Sequence, residues 1–105
     1  MIDFTFEDEY IKQHIPAAAA WMQLAEELGE MQHHALKVAR ALYEDNPTPC
    51  NAMDEAKECV KELGDVLNCV RLFRLDPDEN EMKTKMLRWC SRIQTRLKEL
   101  ENEDP

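Results

Sequence analysis

Two tetrapeptides nearly repeat: ELGE at Glu27–Glu30 and ELGD at Glu62–Asp65. Each sets two carboxylates three residues apart, and positions i and i+3 share one face of a helix. Carboxylate oxygens in this number are hard ligands, of the kind that hold Mg²⁺ or Mn²⁺. Four such charges gathered at a partly buried edge repel strongly unless cations bind between them. The same tetrapeptides contain both glycines of the chain, Gly29 and Gly64. Glycine inside a helix costs about 1 kcal/mol relative to alanine. A side without Cβ admits a close backbone or a ligand, so close approach is the expected reason for both.

The elements that must carry these acids read as helices. Leu24, Leu28, Met31, Ala35, Val38 and Leu42 alternate spacings of four and three, which predicts a helix from about Pro16 to Glu44. DNPTPCN then breaks the chain. Ala56, Cys59, Leu63, Val66, Val70 and Phe73 give a second seam, on a helix from about Ala52 to Leu75. After DPDEN, a third runs from about Glu79 to Leu100, with Met82, Met86, Trp89, Ile93, Leu97 and Leu100 facing inward. A short helix from Phe6 to His14, in an entry segment over 1–15, packs Phe4, Phe6, Tyr10 and Ile11 inward and ends before Pro16. ENEDP, 101–105, reads as a frayed acidic tail.

The expected fold is therefore all-α: an antiparallel bundle of three long helices plus a short N-terminal one, in a single domain over 1–105 and completed by dimerisation. In this frame Glu27 directly precedes seam residue Leu28, and Glu62 directly precedes Leu63. Both acid pairs then stand on the shoulders of their seams, with Glu26 and Glu58 nearby. Packing the two seams together brings four carboxylates to the edge of the core.

Composition narrows the function. The net charge is −9, which disfavours binding to nucleic acid polymers. Residues 1–65 hold 14 acids and 5 bases, whereas residues 66–105 hold 8 of each. The excess acid lies around the two tetrapeptides. Four cysteines include no CxxC pair; Cys59 and Cys69 would lie roughly 15 Å apart along one helix, too far to bridge. No apolar run reaches the roughly 20 residues of a membrane span, and AAAAWM is short and lacks a basic leader, so no membrane is expected and the location expected is cytoplasmic.

With EELGE supplying Glu26, Glu27 and Glu30 and ELGD supplying Glu62 and Asp65, the chain resembles the MazG-like all-α nucleoside triphosphate pyrophosphohydrolases, whose pattern is EExxE on one helix and ExxD on the next. DVLNCVRLF resembles the family's hydrophobic flanks. The resemblance covers about residues 14–75 well and the last helix loosely. It implies a helical homodimer or homotetramer that cleaves (deoxy)nucleoside triphosphates between the α and β phosphates, with Mg²⁺, as nucleotide-pool housecleaning. By position Glu27, Glu30, Glu62 and Asp65 would bind the metal. Glu26 and Glu27 would be catalytic, with Glu26 positioning or deprotonating the attacking water. Substrate contacts would fall to Asn68, one turn beyond Asp65, and to Trp21 and His14 upstream. On the last helix Lys85 in TKML is the best positional match for a phosphate contact, and Arg88 begins an i, i+4 stripe with Arg92 and Arg96. RWCSRI replaces the basic cluster usual in the family.

Three other readings remain open. One is a non-catalytic helical interaction module of the same fold; another is a relative acting on phosphoribosyl-ATP. EMQH at Glu30–His33 also fits the Glu-x-x-His half-motif of di-iron carboxylate bundles. The second helix, however, offers ExxD where that chemistry wants a second ExxH.

Overall fold

The structure, a computed structural model, describes residues 2–43 and 49–103. It consists of four helices: α1 (Thr5–His14), α2 (Ala17–Leu42), α3 (Ala52–Leu72) and α4 (Glu79–Glu103). No strand occurs among the described residues. The expected end of the second helix at Glu44 lies outside them, as does most of the DNPTPCN break.

Helix ends follow local chemistry. Asn51 caps α3, its Oδ1 accepting the amides of Met53 at 2.9 Å and Asp54 at 3.1 Å. Asp78 Oδ1 likewise accepts the Glu81 amide at 3.0 Å at the start of α4. The C-terminus of α3 falls three residues before the expected Leu75. There Leu75 N–H donates to Val70 O at 3.1 Å and Arg74 N–H to Arg71 O at 3.0 Å, the paired bonds of a Schellman cap. That cap needs a left-handed residue, and Arg74 supplies it with φ 51°. Glycine usually holds this place, so no glycine marks the stop in the sequence. α4 continues to Glu103, past the expected Leu100, through part of the supposed tail.

The chain divides after Leu75 into two compact units. In the first, α2 and α3 form an antiparallel hairpin. Its register is fixed by Trp21 stacked on Phe73 at 3.9 Å, by Cys59 Sγ against Met31 O at 3.9 Å, and by His34 bonded to Glu55 at 2.8 Å. Leu24, Val66 and Cys69 are buried between the helices, with Met31, Val70 and Phe73 packed on them.

The face that α2 turns to α3 matches the hydropathy seam only in part: Leu24, Met31 and Val38 of α2, and Ala56, Cys59, Val66, Val70 and Phe73 of α3, are buried or half-buried as expected. Ala20, Leu24, Glu27, Met31, His34, Val38 and Ala41 are all buried or half-buried, and they alternate spacings of four and three. The α3 counterpart is Ala52, Glu55, Cys59, Glu62, Val66, Cys69 and Phe73. Leu28, Ala35 and Leu42 of the expected seam are exposed, as is Leu63. A two-helix contact covers one narrow stripe. Here that stripe passes through Glu27 and Glu62, so the carboxylates stand in the seam and not on its shoulder.

α1 lies on α3 through one ion pair. Arg71 donates from Nε to Asp8 Oδ2 at 3.1 Å and from Nη2 to Asp8 Oδ1 at 2.9 Å. Its guanidinium also sits 3.9 Å over the Phe4 ring. Phe4 and Ile11 are half-buried as expected, but Phe6 and Tyr10 are exposed. In the second unit, every described residue of α4 is exposed. The six side chains expected to face inward are 44% to 55% exposed, because a lone helix has no interior.

The glycines also depart from expectation. A Cβ built on Gly29 or Gly64 would meet nothing within 4 Å, so close approach within the described chain is not their reason. Gly29→Ala and Gly64→Ala should each stabilise the fold by about 1 kcal/mol in urea unfolding. A loss of stability in either would reinstate close packing. Arg74→Gly should also stabilise, by about 1 kcal/mol, by relieving the left-handed conformation.

Candidate metal centre and adjoining pocket

Glu62 is the hub of the site. One carboxylate oxygen from each of Glu27, Glu62 and Asp65 lies within 4.8 Å of the others. A second group joins Glu62 to Glu30 and His34 at the same limit. All four acids singled out in the two tetrapeptides therefore converge, two from α2 and two from α3. Glu30 and Asp65 stand on the exposed rim, while Glu27 and Glu62 are half-buried. Glu26 is exposed and belongs to neither group.

The electrostatics are those of crowded acid. Burial pushes the Glu62 carboxyl above its usual range. The nearby Glu27 carboxyl adds to this, and so do the charges of Asp65 and Glu30. Glu62 Oε2 is nevertheless a buried oxygen with no hydrogen-bond partner. Buried polar atoms are normally satisfied. An unpartnered carboxylate oxygen among other carboxylates is a donor set that fits a hard divalent ion.

Beside the acids is a half-open cavity of about 470 Å³. Ile11 and Ile15 wall it on one side, Leu72 and Cys69 on another, and Glu27 and Asp65 form its acidic edge. Burial, then the charges of Glu27 and Asp65, push the Cys69 thiol pKa up, so the cavity holds a neutral thiol. Two amides complete the lining. Gln23 Nε2 donates to Glu27 Oε1 at 2.7 Å, which leaves its carbonyl oxygen free. Asn68 Oδ1 accepts from Arg71 Nη1 at 2.9 Å, which leaves its N–H₂ group free. The Asp8–Arg71 pair thus both anchors α1, a wall of the cavity, and orients Asn68.

Trp21 and His14 make other contacts. Trp21 is stacked on Phe73, and His14 is stacked on Tyr10 at 4.2 Å with Nδ1 2.7 Å from Tyr10 O. Neither lines the cavity. Lys85 and Arg88 are exposed on α4, in the other unit. Sequence reasoning passed over Gln23, His34 and Glu55. A spacing of seven from Glu27 to His34 and from Glu55 to Glu62 was the available signal, since it puts them on one helical stripe. Comparison of the chain with protein-family models, with curated proteins and with solved structures found no match.

The Glu62 shift carries a sign. A carboxyl whose pKa is raised by folding contributes stability that is full below its unfolded pKa and is lost as pH rises through the folded value. Metal-free protein should therefore lose stability as pH rises above the ordinary glutamate range, and Glu62→Gln should lose less. Melting wild type and variant in chelator across that range isolates Glu62. Asp3, Asp8 and Glu55, whose pKa values are lowered, act in the opposite direction but equally in both proteins.

Proposed function

We propose that this chain is a Mg²⁺-dependent pyrophosphohydrolase of (deoxy)nucleoside triphosphates, of the MazG-like kind that its acid pattern resembles. The observation that carries the reading is the unpartnered Glu62 Oε2, set among three more carboxylates of which two, Glu27 and Asp65, line a cavity large enough for a base and sugar. Glu27, Glu30, Glu62 and Asp65 would hold Mg²⁺, or Mn²⁺ in its place. Bound there, the ion would offset the repulsion between the acids and a polyanionic substrate and would polarise the phosphates.

The remaining work falls to side chains. Glu26, exposed beside Glu27, accepts a proton from the attacking water. The water oxygen forms the new P–O bond, the α–β anhydride bond breaks, and pyrophosphate leaves with the nucleoside monophosphate as second product. Ile11, Ile15 and Leu72 provide apolar surface for the base. Asn68 N–H₂ and Gln23 Oε1 present one donor and one acceptor to its edge.

The apolar residues that the hairpin leaves exposed, among them Leu28, Leu36, Val60, Leu63 and Leu67, support assembly into a homodimer or homotetramer. No helix among the described residues is long and apolar enough to cross a membrane. Four free cysteines suit a reducing compartment, in keeping with a cytoplasmic enzyme.

Incubation with Mg²⁺ and a panel of NTPs, dNTPs and phosphoribosyl-ATP should release pyrophosphate from at least one nucleoside triphosphate. Glu62→Gln should lower that rate by about 100-fold or more while the variant melts no lower than wild type. Cleavage of phosphoribosyl-ATP alone would move the assignment to that substrate. Absence of release from every compound, with no thermal shift on adding Mg²⁺ and nucleotide, would leave the non-catalytic module.

A further inference from the structure

His34 takes no part in the reaction just described, yet it occupies the α2–α3 seam one turn beyond Glu30. One of its ring nitrogens lies within 4.8 Å of a carboxylate oxygen of Glu30 and of Glu62. Its Nδ1 is 2.8 Å from Glu55 Oε2. Glu55 is held in its ionised form, chiefly by that bond and further by Lys37, whose Nζ stands 3.9 Å from Glu55 Oε1. An ionised carboxylate only accepts, so Nδ1 donates to Glu55 and Nε2 is the ring nitrogen left for a cation to bind. A carboxylate behind a histidine is how proteins fix the tautomer and orientation of imidazole metal ligands. Ligand atoms each about 2.1 Å from one ion lie up to about 4.2 Å apart, so side-chain rotation alone closes the set.

We infer that Glu30, His34 and Glu62 form a second cation site, adjoining the Glu27, Glu62 and Asp65 group through shared Glu62 and preferring a first-row transition-metal dication to Mg²⁺. Imidazole is a ligand of the manganese-to-zinc series, whereas Mg²⁺ favours an all-oxygen shell. Glu62 Oε2, which lacks a hydrogen-bond partner, is an oxygen that such a cation would satisfy. His33, the histidine at the Glu-x-x-His spacing, is exposed and in neither ligand group. Glu55 is a positioning residue in this arrangement, acting on the ion only through His34.

The site is separable from the nucleotide reading, because it is tested with metal alone. Full-length protein is stripped of metal and titrated with Mn²⁺, and in parallel with Mg²⁺, without nucleotide. Pulsed electron paramagnetic resonance of the Mn²⁺-loaded wild type should show coupling to an imidazole nitrogen. His33→Gln should keep that coupling and His34→Gln should lose it. His34→Gln should weaken Mn²⁺ binding about 10-fold or more, with Mg²⁺ binding changed less than about twofold. Glu55→Gln should weaken Mn²⁺ binding by about 10- to 100-fold while the nitrogen coupling survives. Absence of nitrogen coupling in wild type, or its survival in His34→Gln, overturns the site even if that protein hydrolyses triphosphates. The wild-type spectrum and Glu55→Gln decide the matter should His34→Gln fail to fold.

Discussion

A carboxylate sits where a core residue should be. Glu62 occupies a seam position of the α2–α3 hairpin, between the apolar contacts at Cys59 and Val66, and it faces Glu27 across the seam. Glu62 is half-buried there, so its charge is disfavoured by burial before its neighbours add their repulsion. A sequence that only needed a stable hairpin would fill this position with leucine. Half-buried like charges are eased either by protonation, which the raised Glu62 pKa reflects, or by a bound cation.

The rest of the hairpin can be understood from that compromise. Polar and apolar layers alternate along the seam. Leu24 with Val66 and Cys69 lies on one side of the Glu27–Glu62 layer, and Met31 with Cys59 lies on the other. The next layer is polar again, with His34 bonded to Glu55. Apolar layers hold the helices in register, and the register sets which carboxylates meet. With only three buried apolar residues between α2 and α3, the margin for such polar layers is thin. The apolar surface displaced from the seam, at Leu28 and Leu63, is turned outward instead.

Arg71 ties the pocket to the same frame. It reaches Asp8 with two nitrogens and Asn68 with a third, and it covers the Phe4 ring. One planar cation therefore holds α1 against the hairpin and fixes the amide that lines the cavity. The cavity wall, the amide and the acid cluster share α3 as their support, which is the rigid mounting that a binding site requires.

The sequence by itself determined the all-helical chain, the positions of the four helices to within a few residues, and the pairing of two acid motifs on neighbouring helices. Helical periodicity and capping chemistry are local, so they can be read from the chain alone: Asn51 announces α3, and i, i+3 spacing announces Glu27 with Glu30 and Glu62 with Asp65. What the tertiary structure decided was rotation. Hydropathy puts Leu28 and Leu63 in the seam with Leu24, Met31, Cys59 and Val66; the packed stripe keeps the last four but takes Glu27 and Glu62 in place of the two leucines. That choice reflects the fit between two particular helices and is invisible in either alone. It also brought His34 to Glu62 across 28 residues of sequence, gave Asn68 its orientation through Arg71, and let Arg74 close α3 where no glycine signals an end. The two glycines that accompany the acids face open space, and nothing within the chain requires them there.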